Sequence, residues 1–494
     1  MKLSKLIEGL AIKSAVGMRD VEIGHITVDS REARVGSLFV AIAGHKLDGH
    51  DFIAQAVKNG ASAVIADREI GAGVPVIAVA DTSLAEAVLA RRLFGEPDLS
   101  LLLAGVTGTN GKTSTAFLLR SVLERAAGPA GIIGTVGYGT AGRMRSSERT
   151  TPGASGLYSI LGGFVAGGCR SAVMEVSSHA AAQGRIEGLE FDVGVFTNIT
   201  RDHLDYHGTL EKYMEAKEIF VRSLDRRGRT KKNGTIVYNN DDLRVRSVGE
   251  RFGGDRVSFG MGDGAMVRAE DARATLEGTS FTLATPVGRI GVDLKLLGRF
   301  SIFNALAAAG AALAASIGLE EIKAGLEGVE GVPGRFQVIR REGGPVVVVD
   351  YAHTPDALEN LLRFCRELEP GRLITVFGCG GDRDRGKRPM MGKVSVEYSD
   401  RVIVTSDNPR SEDPRSIINE VLVGTAGSKT PVDAIDDRAS AIRAAVGEAR
   451  EGDIVAIAGK GHEDYQEAGG VKIHFSDTEE AGKALQDAEV GYQD

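Results

Sequence analysis

Lys112 and Thr113 are the first residues in the chain whose types and spacing can do chemistry. They follow Gly108-Thr109-Asn110-Gly111 and a short apolar run, Leu101 to Val106, and lead into a helical pattern marked by Phe117, Leu118 and Val122. A strand, a glycine-rich turn, Lys-Thr and a helix together make a phosphate cradle. Backbone N–H groups close on the phosphates, and the helix N-terminus adds positive potential. In such a cradle Lys112 reaches the terminal phosphates and the Thr113 hydroxyl ligates Mg²⁺. The usual P-loop has a glycine five places before Gly111, where this chain has Val106. The stretch predicts a nucleoside triphosphate site.

Further polar groups cluster where later apolar runs end. Met174-Glu175-Val176-Ser177-Ser178-His179 closes one run, and Thr197 to Asp205, with Arg201-Asp202-His203 at its centre, closes another. An acid one strand over from a phosphate loop is the expected second Mg²⁺ contact, which selects Glu175. His203 reads equally as a ligand and as a structural histidine. Lys217 is more informative. Leu210, Tyr213, Lys217 and Phe220 fall on one face of a 3.6-residue period, which puts a lysine in an apolar stripe. It either snorkels, its stem buried and its ammonium in water, or is buried with a partner or a chemical change, such as carbamylation by CO₂ to an anionic Mg²⁺ ligand. The residues alone leave this choice open.

The elements that must position these groups read as three α/β blocks. At 494 residues, and about 150 residues per domain, roughly three domains are expected. Residues 1–97 alternate short strands (Leu38 to Ala43, Ala63 to Ala66, Val74 to Ala80) with a helix, Asp51 to Asn59. Residues 98–334 carry the cradle and strands at Gly131 to Val136, Ala172 to Val176, Val193 to Asn198 and Thr235 to Tyr238. Intervening helices predict a mainly parallel sheet covered on both faces. Met266 to Leu297 alternates with a period near two and reads as hairpins on the sheet edge, before an alanine-rich helix, Ile302 to Ile317. Residues 335–494 place strands at Val346 to Val349, Leu373 to Phe377, Arg401 to Thr405 and Ile454 to Ala458, a Rossmann-like open sheet with ligands at its strand ends.

Composition narrows the function. A net charge of −8 argues against a large nucleic-acid footprint. The N-terminus lacks an apolar leader and no run approaches about 18 apolar residues, so the chain reads as cytosolic with no membrane insertion. Three cysteines in no metal or disulfide spacing suggest neither. There is no G-x-S-x-G elbow, and His462 to Gln466 lacks the second histidine of a zinc-protease motif. Gly378-Cys379-Gly380-Gly381 has Arg383 where a dinucleotide fingerprint has its third glycine. ATP chemistry without a protein nucleophile remains.

Taken together, V-T-G-T-N-G-K-T (106–113), M-E-V-S-S-H (174–179), N-I-T-R-D-H-L-D-Y-H-G (198–208), F-N-A (303–305), P-G-R-F (333–336) and D-Y-A-H-T-P-D (350–356) resemble the Mur ligases, the ATP-dependent amide-forming enzymes of peptidoglycan synthesis. The resemblance implies that Gly108, Thr109, Asn110, Gly111, Lys112, Thr113, Ser114, Asn304, Arg335 and Asp350 bind ATP. It implies a metal set of Thr113, Glu175, His203 and Lys217, the last as the lysine the family carbamylates, and catalytic roles for Lys112, Lys217 and His203. D-S-R at 29–31, Gly44-His45-Lys46, Thr150-Thr151 and S-S-H-A-A-A-Q-G-R at 177–185 are similar to contacts of a UDP-muramoyl peptide. Ser30, His45, Thr150, Thr151, Ser177, Gln183 and Arg185 are the implied contacts with UDP-MurNAc-dipeptide. Asp407-Asn408-Pro409-Arg410 resembles the form that adds meso-diaminopimelate, with Arg383, Gly459 and Glu463 as further amino-acid contacts. A second amino-acid centre carries a carboxylate, which arginine grips bidentately.

The expected reaction is phosphorylation of the D-glutamate side-chain carboxylate of UDP-MurNAc-L-Ala-D-Glu by ATP and attack of the diaminopimelate amine on the acyl phosphate, by a monomer. Arg410 is expected to hold the distal carboxylate and Asp407 the distal ammonium, with Arg383 orienting the amino acid. The rivals are L-lysine as acceptor, a folylpolyglutamate-like ligase, and a nucleotide-dependent binding module without ligase chemistry.

Overall fold

Three mainly parallel sheets follow one another along the chain, with a two-stranded ribbon after the third. The computed structural model describes residues 1–44, 47–225, 230–275 and 277–490. The first sheet runs in the order Ile12–Val16, Val76–Val79, Ala61–Ala66, Ser37–Val40, His25–Thr27, antiparallel only at its Ile12–Val16 edge. The last six-stranded sheet has Val346–Asp350, Ile454–Ala458, Leu373–Phe377, Arg401–Thr405 and Val432–Ile435 in parallel, closed at one edge by antiparallel Gln337–Ile339.

The central sheet has eleven strands and positions the chemistry. Leu102–Thr107, buried along nearly its whole length, lies between Val193–Phe196 and Ser171–Glu175, parallel to both. Such double-sided burial suits its continuous apolar run, since helices cover both faces. The register sets Glu175 opposite Val106 and Phe196 opposite Thr107, so three strands end together beside the loop that follows Thr107. The first strand runs through that loop into the helix Lys112–Ala127. On the same face packs Arg299–Ala314, the alanine-rich helix; its small side chains let it approach both the sheet and Lys112–Ala127.

One apolar cluster runs from Leu3, Leu38 and Leu89 through Leu157 to Phe191 and Phe220, so the first sheet and one face of the central sheet share a core. The third sheet has its own clusters on its two faces.

The expected strands and the Met266–Leu297 hairpins are present, with the hairpins antiparallel on the sheet edge. The alanine-rich helix starts at Arg299 and ends at Ala314, earlier than its apolar run, because Ser316 turns into the left-handed region. Short polar edge strands were not anticipated: Gly137–Thr140 with Arg143–Arg145, and the ribbon Tyr465–Ala468 with Val471–His474. Their pairing is decided by a partner strand rather than by an apolar pattern of their own. No helix among the described residues is long and apolar enough to cross a membrane.

Candidate active site

The loop after Thr107 is shaped by what crowds it. Gly111 stands at the head of its helix with φ +84°, and a Cβ there would come 2.4 Å from Asn304 Oδ1. Only glycine accepts both the backbone conformation and that approach. The end of the neighbouring strand stitches the loop down. Asn198 Oδ1 accepts from the Asn110 N–H at 2.8 Å, and Thr197 Oγ1 donates to the Asn110 carbonyl at 2.6 Å.

Three basic side chains converge on this loop and end on uncharged oxygens. Lys112 Nζ donates to the Gly108 and Thr109 carbonyls at 2.9 and 2.8 Å. Lys217 Nζ donates to the same Gly108 carbonyl at 2.8 Å and lies 4.6 Å from the Tyr213 ring centroid. Arg335 donates to Thr113 Oγ1 at 2.9 Å and stacks its guanidinium over Tyr351, while its buried Nε has no partner among the described residues. Lys217 is 1 % exposed, which excludes snorkelling. It sits on Leu210–Arg222, whose N-terminus Thr209 caps by accepting from the Lys212 N–H. Burial, then the Lys112 charge, push the Lys217 ammonium well below its usual range, with Asp202 opposing. Burial lowers Lys112 as well, against Glu175 and Asp202.

The acids of the cradle lie opposite. Glu175 is buried and accepts from the Thr135 N–H at 2.9 Å and its hydroxyl at 3.0 Å. Asp202 is desolvated, which alone would raise it, yet His203, His353, Lys387 and Lys112 hold its carboxyl below the ordinary range. His203, in the left-handed region, turns its Nε2 to 3.3 Å from Asp202 Oδ2. Burial lowers that imidazole to about 3, so it is neutral at physiological pH. Asp350 accepts from the Phe336 N–H at 2.7 Å and is raised by burial.

These residues fit a polyphosphate with Mg²⁺. The unpartnered Arg335 Nε and the Lys112 amine, held on two carbonyls, supply donors for phosphate oxygens, and Glu175 and the Thr113 hydroxyl supply the hard oxygens Mg²⁺ prefers. Among the described residues no group of three or more His, Cys, Asp and Glu could hold a metal. The expected set holds only Glu175 and His203 of that kind, the rest being a hydroxyl and a modified amine.

A cleft of about 1130 Å³ joins this cradle to two further polar regions. On one side Thr150, Thr151, Ser177 and Arg185 line it. Thr151 Oγ1 donates to the Glu175 carbonyl at 2.8 Å, and Arg185 donates to the Thr151 carbonyl at 2.9 Å and to Gln183 Oε1. Burial, then Arg149, bring Arg185 down to about 10, because its partners are uncharged. Gln183 stands behind Arg185 and donates to the Tyr206 hydroxyl at 3.1 Å, without lining the cleft. Ser30 is buried in the first unit, its carbonyl accepting from Asn59, and does not line the cleft. His45 lies outside the described residues.

On the other side Arg383, Asp407, Asn408, Arg410, Gly459 and Glu463 line the cleft, and Pro409 only shapes the turn, accepting from the Glu412 N–H at 3.0 Å. Lys460 donates to Asn408 Oδ1 at 3.2 Å and to Glu463 Oε2 at 3.1 Å, and Asn408 Nδ2 donates to the same Glu463 oxygen at 2.8 Å. Asp407 stays low despite burial because Lys460 and Arg438 face it. Glu463 is raised by burial and by Asp407.

Two contacts across the cleft escaped sequence reasoning. Asn110 Nδ2, in the loop, donates to Asp356 Oδ2 at 2.6 Å, and Arg201 pairs with Asp384 at 3.2 Å. Asp202 and Lys460 were also missed as charged neighbours. Asp202, Asp356 and Arg201 stand inside the motifs quoted above, and a carboxylate adjoining a candidate histidine was the available signal. Lys460 stands three residues before its partner Glu463, and its other partner, Asn408, lies on another strand end.

Comparison with known proteins agrees along the whole chain. Residues 106–312 match the family description "Mur ligase middle domain", 334–461 match "Mur ligase, glutamate ligase domain", and 22–93 match "Mur ligase family, catalytic domain". A UDP-N-acetylmuramoyl-L-alanyl-D-glutamate--2,6-diaminopimelate ligase of Bacillus licheniformis is 42% identical over 486 residues, covering 98% of this chain and 99% of that one. The protein of that name from Geobacter metallireducens is 42% identical over 508 residues, with 99% of each covered. A solved structure of a ligase of the same name superposes with a TM-score of 0.68 at 33% identity, covering 99% of both chains. With cradle, cleft and relatives in agreement along its length, the chain belongs to the Mur ligase family.

Proposed function

We propose that this ATP-dependent, amide-forming ligase joins meso-diaminopimelate to UDP-MurNAc-L-Ala-D-Glu in the assembly of a peptidoglycan precursor. The observation that carries the reading is one cleft in which a cradle whose Lys112, Lys217 and Arg335 end on uncharged oxygens faces a pocket where Lys460 is paired with Glu463. The curated relatives' names state the same substrates.

Lys112 and Arg335 would hold the terminal phosphates of ATP, and the Thr150–Thr151 and Ser177–Arg185 side would present the D-glutamate carboxylate. That carboxylate attacks the γ-phosphorus, ADP leaves, and an acyl phosphate forms. Thr113, Glu175 and His203 would hold Mg²⁺, which when bound would neutralise phosphate charge. Lys217 fits the carbamate role physically: a neutral amine is the form that adds CO₂, and burial shifts Lys217 toward that form. The free amine of the acceptor then attacks the acyl carbon, and the tetrahedral intermediate expels phosphate. Catalysis is positioning and charge stabilisation in a cleft that shields the acyl phosphate from water. Every group invoked is supplied by this one chain, which supports the reading of a monomer, and the use of ATP supports the reading of a cytoplasmic enzyme.

The deciding experiment measures phosphate release from ATP with the UDP-dipeptide and each candidate acceptor in turn. Release with meso-diaminopimelate and not with L-lysine is expected. Release with glutamate or lysine instead would overturn the reading.

A further inference from the structure

The two arginines at the acceptor pocket stand on loops that an apolar core does not hold. Arg383 follows Gly380-Gly381-Asp382, and Arg410 ends Asp407-Asn408-Pro409; both Asp382 and Arg410 adopt left-handed backbone conformations, φ +53° and +54°. The loops interlock. Gly381 N–H donates to the Asn408 carbonyl at 2.9 Å, Arg410 donates to the Gly381 carbonyl at 2.7 Å, and a Cβ on Gly381 would stand 1.9 Å from the Pro409 carbonyl oxygen.

Beneath them lies Arg388, in the first turn of Lys387–Tyr398 and fully buried. Its guanidinium is bidentate to Glu412, with Nη1 at 2.9 Å from Oε2 and Nη2 at 2.8 Å from Oε1. Nη1 also donates to Glu420 Oε2 at 2.9 Å and Nη2 to the Gly380 carbonyl at 3.3 Å. Glu412 passes the constraint on by accepting from the Asp382 N–H at 2.6 Å, and Asp382 accepts from the Ser411 hydroxyl at 2.6 Å. Arg388 beside it pulls the Glu412 carboxyl down to about 2.

We infer that Arg388 is a positioning residue for acceptor recognition: through Glu412 it fixes the loop pair that aims Arg383 and Arg410. A buried ion pair is weak grounds for stability, since apolar residues of equal volume do as well or better. Arg388 Nε has, besides, no partner among the described residues. A group this costly in the interior, tied to two loops in special conformations, is accounted for by the geometry it imposes. The inference rests on the reading that these loops receive the acceptor amino acid.

Arg388→Lys keeps the charge and removes the bidentate fork. A misplacement of about 1 Å in a binding group costs on the order of 10²-fold in kcat/KM. The folded variant should lose that much with meso-diaminopimelate, through KM, while KM for ATP and for the UDP-dipeptide stays within about twofold of wild type. Ser411→Ala, at the exposed end of the chain of contacts, should raise the same KM alone, by a smaller factor. Should Arg388→Lys not fold, as thermal melting will tell, Ser411→Ala decides. An unchanged acceptor KM, or a parallel rise of all three KM values, overturns the inference. A wild-type enzyme that accepts no diaminopimelate would instead refute the proposed function, a failure visible before any variant is made.

Discussion

Lys112, Lys217 and Arg335 end on carbonyl and hydroxyl oxygens, whereas across the same cleft three buried basic groups end on carboxylates, Lys460 on Glu463, Arg388 on Glu412 and Arg438 on Asp477, with Lys387 left on the His353 carbonyl. In the cradle the basic donors have no carboxylate in hydrogen bond, although Glu175 and Asp202 stand nearby, and this local excess is what a polyanion completes. The acceptor pocket is already balanced, so a ligand with net charge would unbalance it and a ligand pairing one charge of each sign would not. Affinity on the first side comes from charge excess, and selectivity on the second from placement.

The largest expected effect follows from placement. Diaminopimelate carries a distal carboxylate and ammonium where lysine carries the ammonium alone. A pocket whose buried polar groups would be left unpaired rejects the lacking analogue by about 10⁴-fold or more. Wild type should therefore show that ratio in kcat/KM, and Arg410→Ala should collapse it by destroying activity with diaminopimelate while KM for ATP holds. A ratio that survives Arg410→Ala would end the distinction drawn between the two regions.

Charge excess predicts the next effect. Lys112→Ala should lower turnover by about 10²–10³-fold, the usual loss on removing one preorganised contact to developing charge. The fold should survive, because Lys112 is a half-buried lysine on loop carbonyls rather than a packing element. Lys217→Ala should be nearly inactive too, and added acetate should restore part of the activity if a carbamate supplies an anion there. Equal activity with and without acetate would leave Lys217 an ordinary buried amine.

The same contrast explains what could be read from the sequence. The cradle was legible because its parts are contiguous: Gly108 to Thr113 is one turn between a strand and a helix. Lys217 was legible as a misfit in an apolar stripe, and the structure decided between water and burial. The acceptor pocket is assembled from three separate strand ends, so it was legible only through the resemblance at Arg383, Asp407 to Arg410, Gly459 and Glu463, not as one contiguous turn. Arg388 takes its role from Glu412 and Glu420, and Lys460 part of its role from Asn408, partners that local sequence does not encode. Gly137–Thr140 and Tyr465–Ala468 were missed for the same reason, as polar edge strands chosen by their neighbours.

The smallest effect concerns the histidines on the seam between the two regions, and it reads the charge excess as stability. His353 Nδ1 donates to the Tyr351 carbonyl at 2.8 Å, and burial followed by Lys387 lowers its imidazole to about 4. His462 is likewise lowered to about 4, by burial and then by Arg335. Both start from 6.5 when unfolded, so below that value the unfolded chain binds protons that the folded chain refuses. Their contribution is complete above about pH 6.5 and is lost as the pH falls toward about 4. The urea midpoint should drop from pH 7.5 to pH 5, and less so in His353→Gln and His462→Gln. A non-hydrolysable ATP analogue adds negative charge beside Arg335, which raises the folded-state affinity for protons. It should therefore flatten the same pH dependence beyond what simple ligand stabilisation, equal at both pH values, would give. A slope indifferent to both the substitutions and the nucleotide would show that the cations of the cradle do not reach the seam, and that the two regions are electrostatically separate.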